Sequence, residues 1–268
     1  MEDVIAHNRN AWNRQAREGC RWSIPVGPEA IVEARAGRPH IILTPDTPLP
    51  LAWLGDLPNK DLLCLASGGG QQAPLLAAAG ATVTSFDLSE EQLALDTQVA
   101  QRESLTIRTV QGDMRDLSVF DSDWFDLIVN VCSNTFCPEL APVWQECYRV
   151  LRPGGELLAG FLNPVFFLFD WDALDRGEDP MVRYPLPYSD KQSLPLSRYQ
   201  KLCADGEPLC FSHSLDSQIG GQIAAGFAVI GFFEDGWKES PLDPWLKTGI
   251  CTRARKLDGY QRAEPGLP

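Results

Sequence analysis

Three consecutive glycines, Gly68, Gly69 and Gly70, follow a short apolar run, Leu62 to Ala66, and precede a helical pattern that opens near Gln72. A turn without side chains lets a ligand come close to the backbone, and the helix behind it points amide N–H groups at the same spot. A second apolar run, Thr82 to Phe86, ends on Asp87, about 20 residues beyond the first glycine, where nucleotide-binding units place the carboxylate that accepts from ribose hydroxyls. This spacing points to an adenosine-bearing ligand. The turn alone is weak, because the same strand–glycine–helix join occurs in α/β proteins that bind nothing there. His213, just before a helical stretch, is the one candidate general base, although a lone histidine is more often structural. No metal site is expected: there is no Cys-x-x-Cys pair, and His7, His40 and His213 lie far apart in the chain.

Elements must alternate regularly to bring these residues together. Strands are expected at Leu62–Ala66, Thr82–Phe86, Thr106–Val110, Phe125–Val131 and Glu156–Phe161. Between them run helices over Gln72–Ala79, stopped by Gly80, over the stretch capped by Ser89 to about Glu103, and over Glu139–Leu151. Gln92 completes a capping box with Ser89. Ser214 caps a further helix to Ala225, followed by strands at Phe227–Phe233 and Trp245–Arg255. Alternation of this kind builds a doubly wound, mostly parallel sheet, whose ligands bind at the carboxyl ends of the strands. Residues 1–58, a helix over 3–19 and then a proline-rich stretch, form an N-terminal helical and loop cap. Residues 59–268 form the main domain, with a lid-like insertion at 164–212 after strand five.

Composition narrows the partners. A net charge of −13 disfavours nucleic acid, which wants a basic footprint. The start of the chain lacks a basic, then apolar, leader. The greasiest stretch, Leu157 to Trp171, is interrupted by Asn163, Pro164 and Asp170, so no membrane span is expected. Eight cysteines without clustering read as reduced, buried thiols. A cytoplasmic protein acting on a small molecule, as monomer or homodimer, is the expectation.

With the elements laid out, the chain resembles the class I S-adenosylmethionine-dependent methyltransferases, particularly small bacterial members of the methyltransferase-11 type. The resemblance covers roughly residues 60–163 and, more loosely, 213–255. It is carried by the glycine turn, by Asp87 after strand two, by Gly112-Asp113-Met114 after strand three, by Asn130-Val131-Cys132-Ser133-Asn134 after strand four, and by Tyr148-Arg149-Val150-Leu151-Arg152-Pro153-Gly154-Gly155 before strand five. The octapeptide is the most family-specific of these. The family also implies an antiparallel seventh strand, for which Thr248 to Lys256 is suited. The implied cofactor is S-adenosyl-L-methionine, held by Ala66, Ser67, Gly68, Gly69, Gly70, Gln72, Asp87, Leu88, Gln92, Gly112, Asp113, Met114, Asn130, Val131 and Asn134. Asn163, Phe166, Phe167, Trp171, Tyr184 and Tyr188 would line the site of a small methyl acceptor.

The first motif departs from the family pattern. Cys64 and Ala66 stand where an acidic residue and a glycine are usual. The contact to the methionine amino group must then come from elsewhere: backbone carbonyls near Ala66 or Asn130, or the N-terminal Asn8 or Trp12. Two other functions compete. Gly68-x-Gly70-x-x-Ala73 with Asp87 also satisfies a loose dinucleotide fingerprint, though no Tyr-x-x-x-Lys pair accompanies it. A non-catalytic S-adenosylmethionine-binding relative would keep the same residues. Asn163-Pro164-Val165-Phe166 is similar to the motif of amino-group methyltransferases, but it follows strand five rather than strand four and reads as a turn with packing aromatics.

Overall fold

A computed structural model describes residues 3–257. The first two residues, from which the absence of a leader is read, and residues 258–268 of the expected main domain lie outside the described residues. Helix α1 (Val4–Glu18) is capped by Asp3, whose carboxylate accepts from the Ile5 and Ala6 amides, and is closed by Gly19 in the left-handed conformation. Helices α2 (Pro28–Arg35) and α3 (Leu51–Leu54) complete the N-terminal segment.

The alternating part follows: β1 (Asp61–Leu65), α4 (Gln72–Ala78), β2 (Thr82–Asp87), α5 (Glu90–Glu103), β3 (Ile107–Gln111), β4 (Phe125–Asn130), α6 (Ala141–Val150) and β5 (Leu151–Leu162). The insertion contributes α7 (Trp171–Asp175), α8 (Asp190–Ser193) and α9 (Leu196–Asp205). A single π-helical turn over Asp216–Gly220 leads into α10 (Gly221–Ala225), and β6 (Phe227–Asp235) and β7 (Gly249–Lys256) close the sheet.

The seven strands are ordered β3-β2-β1-β4-β5-β7-β6. β7 runs antiparallel to both neighbours and the remaining pairs are parallel. This is the doubly wound, mostly parallel seven-stranded sheet expected. β1 pairs with both β2 and β4, so the chain reverses direction across the sheet there, and the carboxyl ends of β1 and β4 open a crevice. Alternate residues of β1 feed opposite cores. Leu63 and Leu65 join Phe125, Ile128 and Trp144 under α6, while Leu62 and Cys64 join Leu76, Val99, Ile31 and Ile41 under α2, α4 and α5. The N-terminal segment thus shares a core with β1.

Three elements differ from the sequence reading. β5 begins at Leu151 rather than Glu156, because Leu151 already pairs with Phe125 ahead of a bulge. The last strand starts at Gly249, leaving Trp245 in an exposed turn. The insertion carries the ten-residue α9, whose hydrophobic pattern is too short to stand out among prolines and aromatics. Among the described residues no helix is long and apolar enough to cross a membrane.

The octapeptide before β5 lies at the opposite end of the sheet from the glycine turn, and its two arginines tie that end together. Arg152 donates to Asp126 (2.7 Å) and to Asp61 (2.8 Å), joining the starts of β1, β4 and β5. Arg149 donates to the carbonyls of Phe120 and Leu117 (both 2.9 Å) and is oriented by Glu146. Arg149→Ala should therefore cost about 2 kcal/mol, the scale of hydrogen bonds to charged groups, and leave ligand affinity alone. Thermal unfolding should show a Tm lower by roughly 4–8 °C for a chain of this size. An unchanged Tm would mean that these bonds do not hold the sheet end.

Candidate active site

The glycine turn is held from inside the protein, one amide at a time. Gly68 N–H donates to Asp87 Oδ2 (3.0 Å), Gly69 N–H to the Gln92 carbonyl (3.0 Å) and Gly70 N–H to Asp96 Oδ1 (2.8 Å). The acceptors come from the end of β2 and from one face of α5, where Gln92 and Asp96 are one turn apart. The turn sits so close to α5 that a Cβ on Gly68 would fall 2.7 Å from Gln92 Cβ. A side chain at position 68 would therefore disturb α5 as well as any ligand. Two of the turn's amides thus face carboxylates and the third a backbone carbonyl.

Both carboxylates are shifted in the same direction. Burial pushes Asp87 up, against the lowering effect of amide donors from Ser89, Gly68 and Leu88. Burial likewise pushes Asp96 up to about 7, although Ser85 and Gly70 donate to it and lower it. Asp87 Oδ1 accepts from the Ser89 amide (2.9 Å), so each oxygen holds one backbone donor and keeps lone-pair capacity for a further one.

At the departure in the first motif, Ala66 adopts φ +46°, the left-handed region that a glycine would take without strain. Cys64 is fully buried, and burial pushes its thiol well above the usual range.

A methyltransferase domain family matches residues 63–159. The chain is 45% identical over 259 residues to the uncharacterized methyltransferase YbaJ of Bacillus subtilis (strain 168), an alignment spanning 96% of this chain and 100% of the relative. The chain belongs to the methyltransferases. Solved structures share the fold at low identity. The Burkholderia thailandensis 1,6-didemethyltoxoflavin-N1-methyltransferase, with bound 1,6-didemethyltoxoflavin and S-adenosylhomocysteine, aligns with TM-score 0.58 at 18% identity, over 94% of this chain and 88% of that one. An S-adenosylmethionine-dependent methyltransferase from Mesorhizobium loti gives 0.53 at 18%, over 76% and 94%.

Polar atoms at the methyltransferase's strand ends fit S-adenosylmethionine, the cofactor expected from the sequence. Ser67 Oγ, Asn130 Oδ1 and Asn134 Oδ1 are buried with no hydrogen-bond partner among the described residues. Asn130 pairs in register with Leu65 and donates to its carbonyl (3.2 Å), so its free oxygen lies at the crevice between β1 and β4. A ligand bearing an ammonium supplies the missing donor. Asn8 and Trp12 do not fill that role. Asn8 is engaged by the Phe136 and Leu209 carbonyls and the Leu209 amide, and Trp12 packs edge-on against Phe136 at 4.8 Å.

The other expected site residues divide. Asp113 is half-buried and chelated by Arg115, with Nε 3.0 Å and Nη2 2.6 Å from Oδ2. Met114 turns its side chain into the core, and Gly112 lies against the Phe86 ring. Leu88 and Val131 are half-buried beside the strand ends, and Gln72 donates to the Ile42 carbonyl (2.9 Å). Gln92 is buried. Its side chain donates to Ser23 Oγ (2.6 Å) and does not accept from the Ser89 amide, which donates to Asp87 instead, so the capping box is only half made. Through Gln92, the segment around Ser23 lies over the glycine turn, and the Val26 amide donates to the Gly70 carbonyl (2.8 Å).

The expected acceptor-lining aromatics form one cluster. Phe166 stacks on Trp171 at 3.9 Å and lies 6.1 Å from Trp237, while Phe167 and Tyr184 flank Tyr188. Asn163 caps the Pro164–Leu168 turn through the Val165 amide and takes no part in the cluster. The sequence reading missed Trp237, Trp22 and Asp96. Trp22 meets Trp237, in the loop between β6 and β7, at 6.1 Å. Asp96 carried a readable signal: a carboxylate in the apolar stripe of Leu93, Val99 and Ala100.

His213 is held by the post-β4 loop. Its Nε2 lies 2.8 Å from the Cys137 carbonyl and 3.1 Å from the Asn134 carbonyl, so it carries the hydrogen and donates. Burial lowers the ring's pKa below its ordinary 6.5. The neutral ring's stabilisation is complete above that value and is lost as the pH falls through the lowered one. His213→Ala should cost about 1 kcal/mol near pH 8 and less near pH 5, with the pH profile of methyl transfer unchanged. Loss of the acidic limb of that profile would return His213 to catalysis.

Proposed function

We propose that this chain transfers the methyl group of S-adenosylmethionine in line to a small-molecule acceptor and releases S-adenosylhomocysteine. The observation that carries the reading is the glycine turn with all three amides turned onto Asp87, Gln92 and Asp96. A dinucleotide's pyrophosphate takes free amides of the turn and of the helix behind it, and here the three amides of the turn are already held. The two carboxylates beneath the turn favour a ligand with cationic centres and no phosphate.

When bound, the cofactor supplies a methyl group already activated on a sulfonium. The chain's work is then orientation and exclusion of water. Asp87, aimed by the Gly68 and Ser89 amides, would accept from the ribose hydroxyls. The Ala66 carbonyl and Asn130 Oδ1 would accept from the methionine ammonium, with Ser67 and Asn134 close by. Leu88 and the Gly112–Met114 segment would flank the adenine. Orienting two reactants in this way can supply on the order of 7–11 kcal/mol of the barrier.

The acceptor side is built from rings. Phe166, Trp171, Trp237 and Trp22 run from the insertion over 164–212 to the cap over 1–58, adjoining the turn through the Trp22 carbonyl beside Gly69. Such walls suit a small acceptor with an apolar or planar face and keep water from the transfer. The net charge of −13 disfavours a polyanionic acceptor and is consistent with a cytoplasmic, freely soluble enzyme. A base is needed only for an acceptor that must lose a proton during transfer.

Asp87→Asn tests the assignment while keeping the side chain's size and one accepting oxygen. S-adenosylhomocysteine should bind at least about tenfold more weakly by calorimetry, the equivalent of one charge-assisted hydrogen bond, with circular dichroism unchanged. Undiminished affinity would overturn the ribose role of Asp87.

A further inference from the structure

Position 64 on β1 lacks the carboxylate that the family pattern puts there, yet a buried carboxylate bears on it from α5. Cys64 pairs in register with Ser85 on β2. Asp96, reaching down from α5, accepts from Ser85 Oγ through Oδ2 (2.6 Å) and from the Gly70 amide through Oδ1 (2.8 Å). It is fully buried, and its charge bears directly on the Cys64 thiol. Neither the strand's hydrophobic pattern nor the helix's needs an acid here. An apolar residue at 96 would extend the stripe of Leu93 and Val99 but orphan the Gly70 amide.

We propose that Asp96 is a positioning residue of the cofactor site, a buried carboxylate supplied by α5 that fixes the glycine turn in a site whose first motif has no acid at position 64. The proposal rests on the methyltransferase reading above. Ionised, Asp96 accepts from both the Ser85 hydroxyl and the Gly70 amide and fixes the turn against which the cofactor lies. Protonated on Oδ2, it donates to Ser85 Oγ and holds the Gly70 amide through Oδ1 without the strength of a charged acceptor, so the turn is held less firmly. Asp87 on β2 and the Cys64 thiol on β1 are the titratable groups that bear on it, and Asp87 raises its pKa.

Moving the acid to β1 is the test. Calorimetric titration with S-adenosylhomocysteine compares the wild type, Asp96→Asn, Cys64→Asp and the double variant. Asp96→Asn should bind about tenfold more weakly. Cys64→Asp alone places two carboxylates side by side and should unfold at lower temperature. The double variant should recover affinity to within about threefold of wild type. A double variant as weak as the two single effects multiplied would overturn the proposal.

If the double variant does not fold, the comparison across pH decides. Wild-type affinity should fall as the pH drops from 8.5 to 5.5, and Asp96→Asn should be flat over that range. Matching pH profiles in the two proteins would overturn the proposal. A wild type that does not bind S-adenosylhomocysteine at any pH would instead overturn the methyltransferase site itself.

Discussion

The arrangement at the centre of this molecule is a glycine turn whose amides are all claimed by acceptors of the same chain. Asp87, the Gln92 carbonyl and Asp96 take one each, from the end of β2 and from one face of α5. Burying a carboxylate is costly unless donors compensate it, and here the turn supplies the donors. The strand ends, the turn and α5 are therefore set together. A shift of α5 would leave backbone N–H groups and buried carboxylates unpaired at once.

The same constraint reaches outward. Gln92 reaches from α5 to Ser23, and the Asn13 carboxamide accepts from Ser89 Oγ (2.6 Å) at the start of that helix. The N-terminal segment is thereby fastened to the element that holds the turn. Trp22, in that segment, meets Trp237, which lies against Phe166 and Trp171 of the insertion. A continuous aromatic path thus runs from Trp22 through Trp237 to Phe166 and Trp171. The cluster lies beside the turn rather than across the sheet from it, which suits walls around a transferred methyl group.

Much of the fold was legible in the residues. Buried parallel strands such as Phe125–Asn130 declare themselves as near-continuous apolar runs, and Gly80 and Ser89 punctuate the helices beside them. Asp87 was legible because its spacing from the turn is fixed by one strand–helix–strand unit. The Arg149 and Arg152 octapeptide marked the family clearly, yet its work is structural, at the far end of the sheet. What could not be read was tertiary. The inward turn of the glycine amides depends on α5 packing over β1 and β2. Trp22 and Trp237 stand more than two hundred positions apart and meet only through that packing. Gln92 looked like half of a capping box because its spacing from Ser89 is local, but the neighbouring Asp87 outcompetes it for the Ser89 amide. Ala66 hid a glycine-like backbone behind an ordinary residue.

The central claim is that this turn receives a cationic, phosphate-free adenosine cofactor. The most direct measurement is a thermal-shift titration of the full chain with S-adenosylmethionine, S-adenosylhomocysteine and NAD(H) side by side. A ligand at 100 times its dissociation constant should add about 2.7 kcal/mol to the stability of the folded protein. The account predicts a clear rise in Tm with the first two and none with NAD(H). A rise with NAD(H) alone would contradict it, because that ligand needs the amides that Asp87, Gln92 and Asp96 already hold.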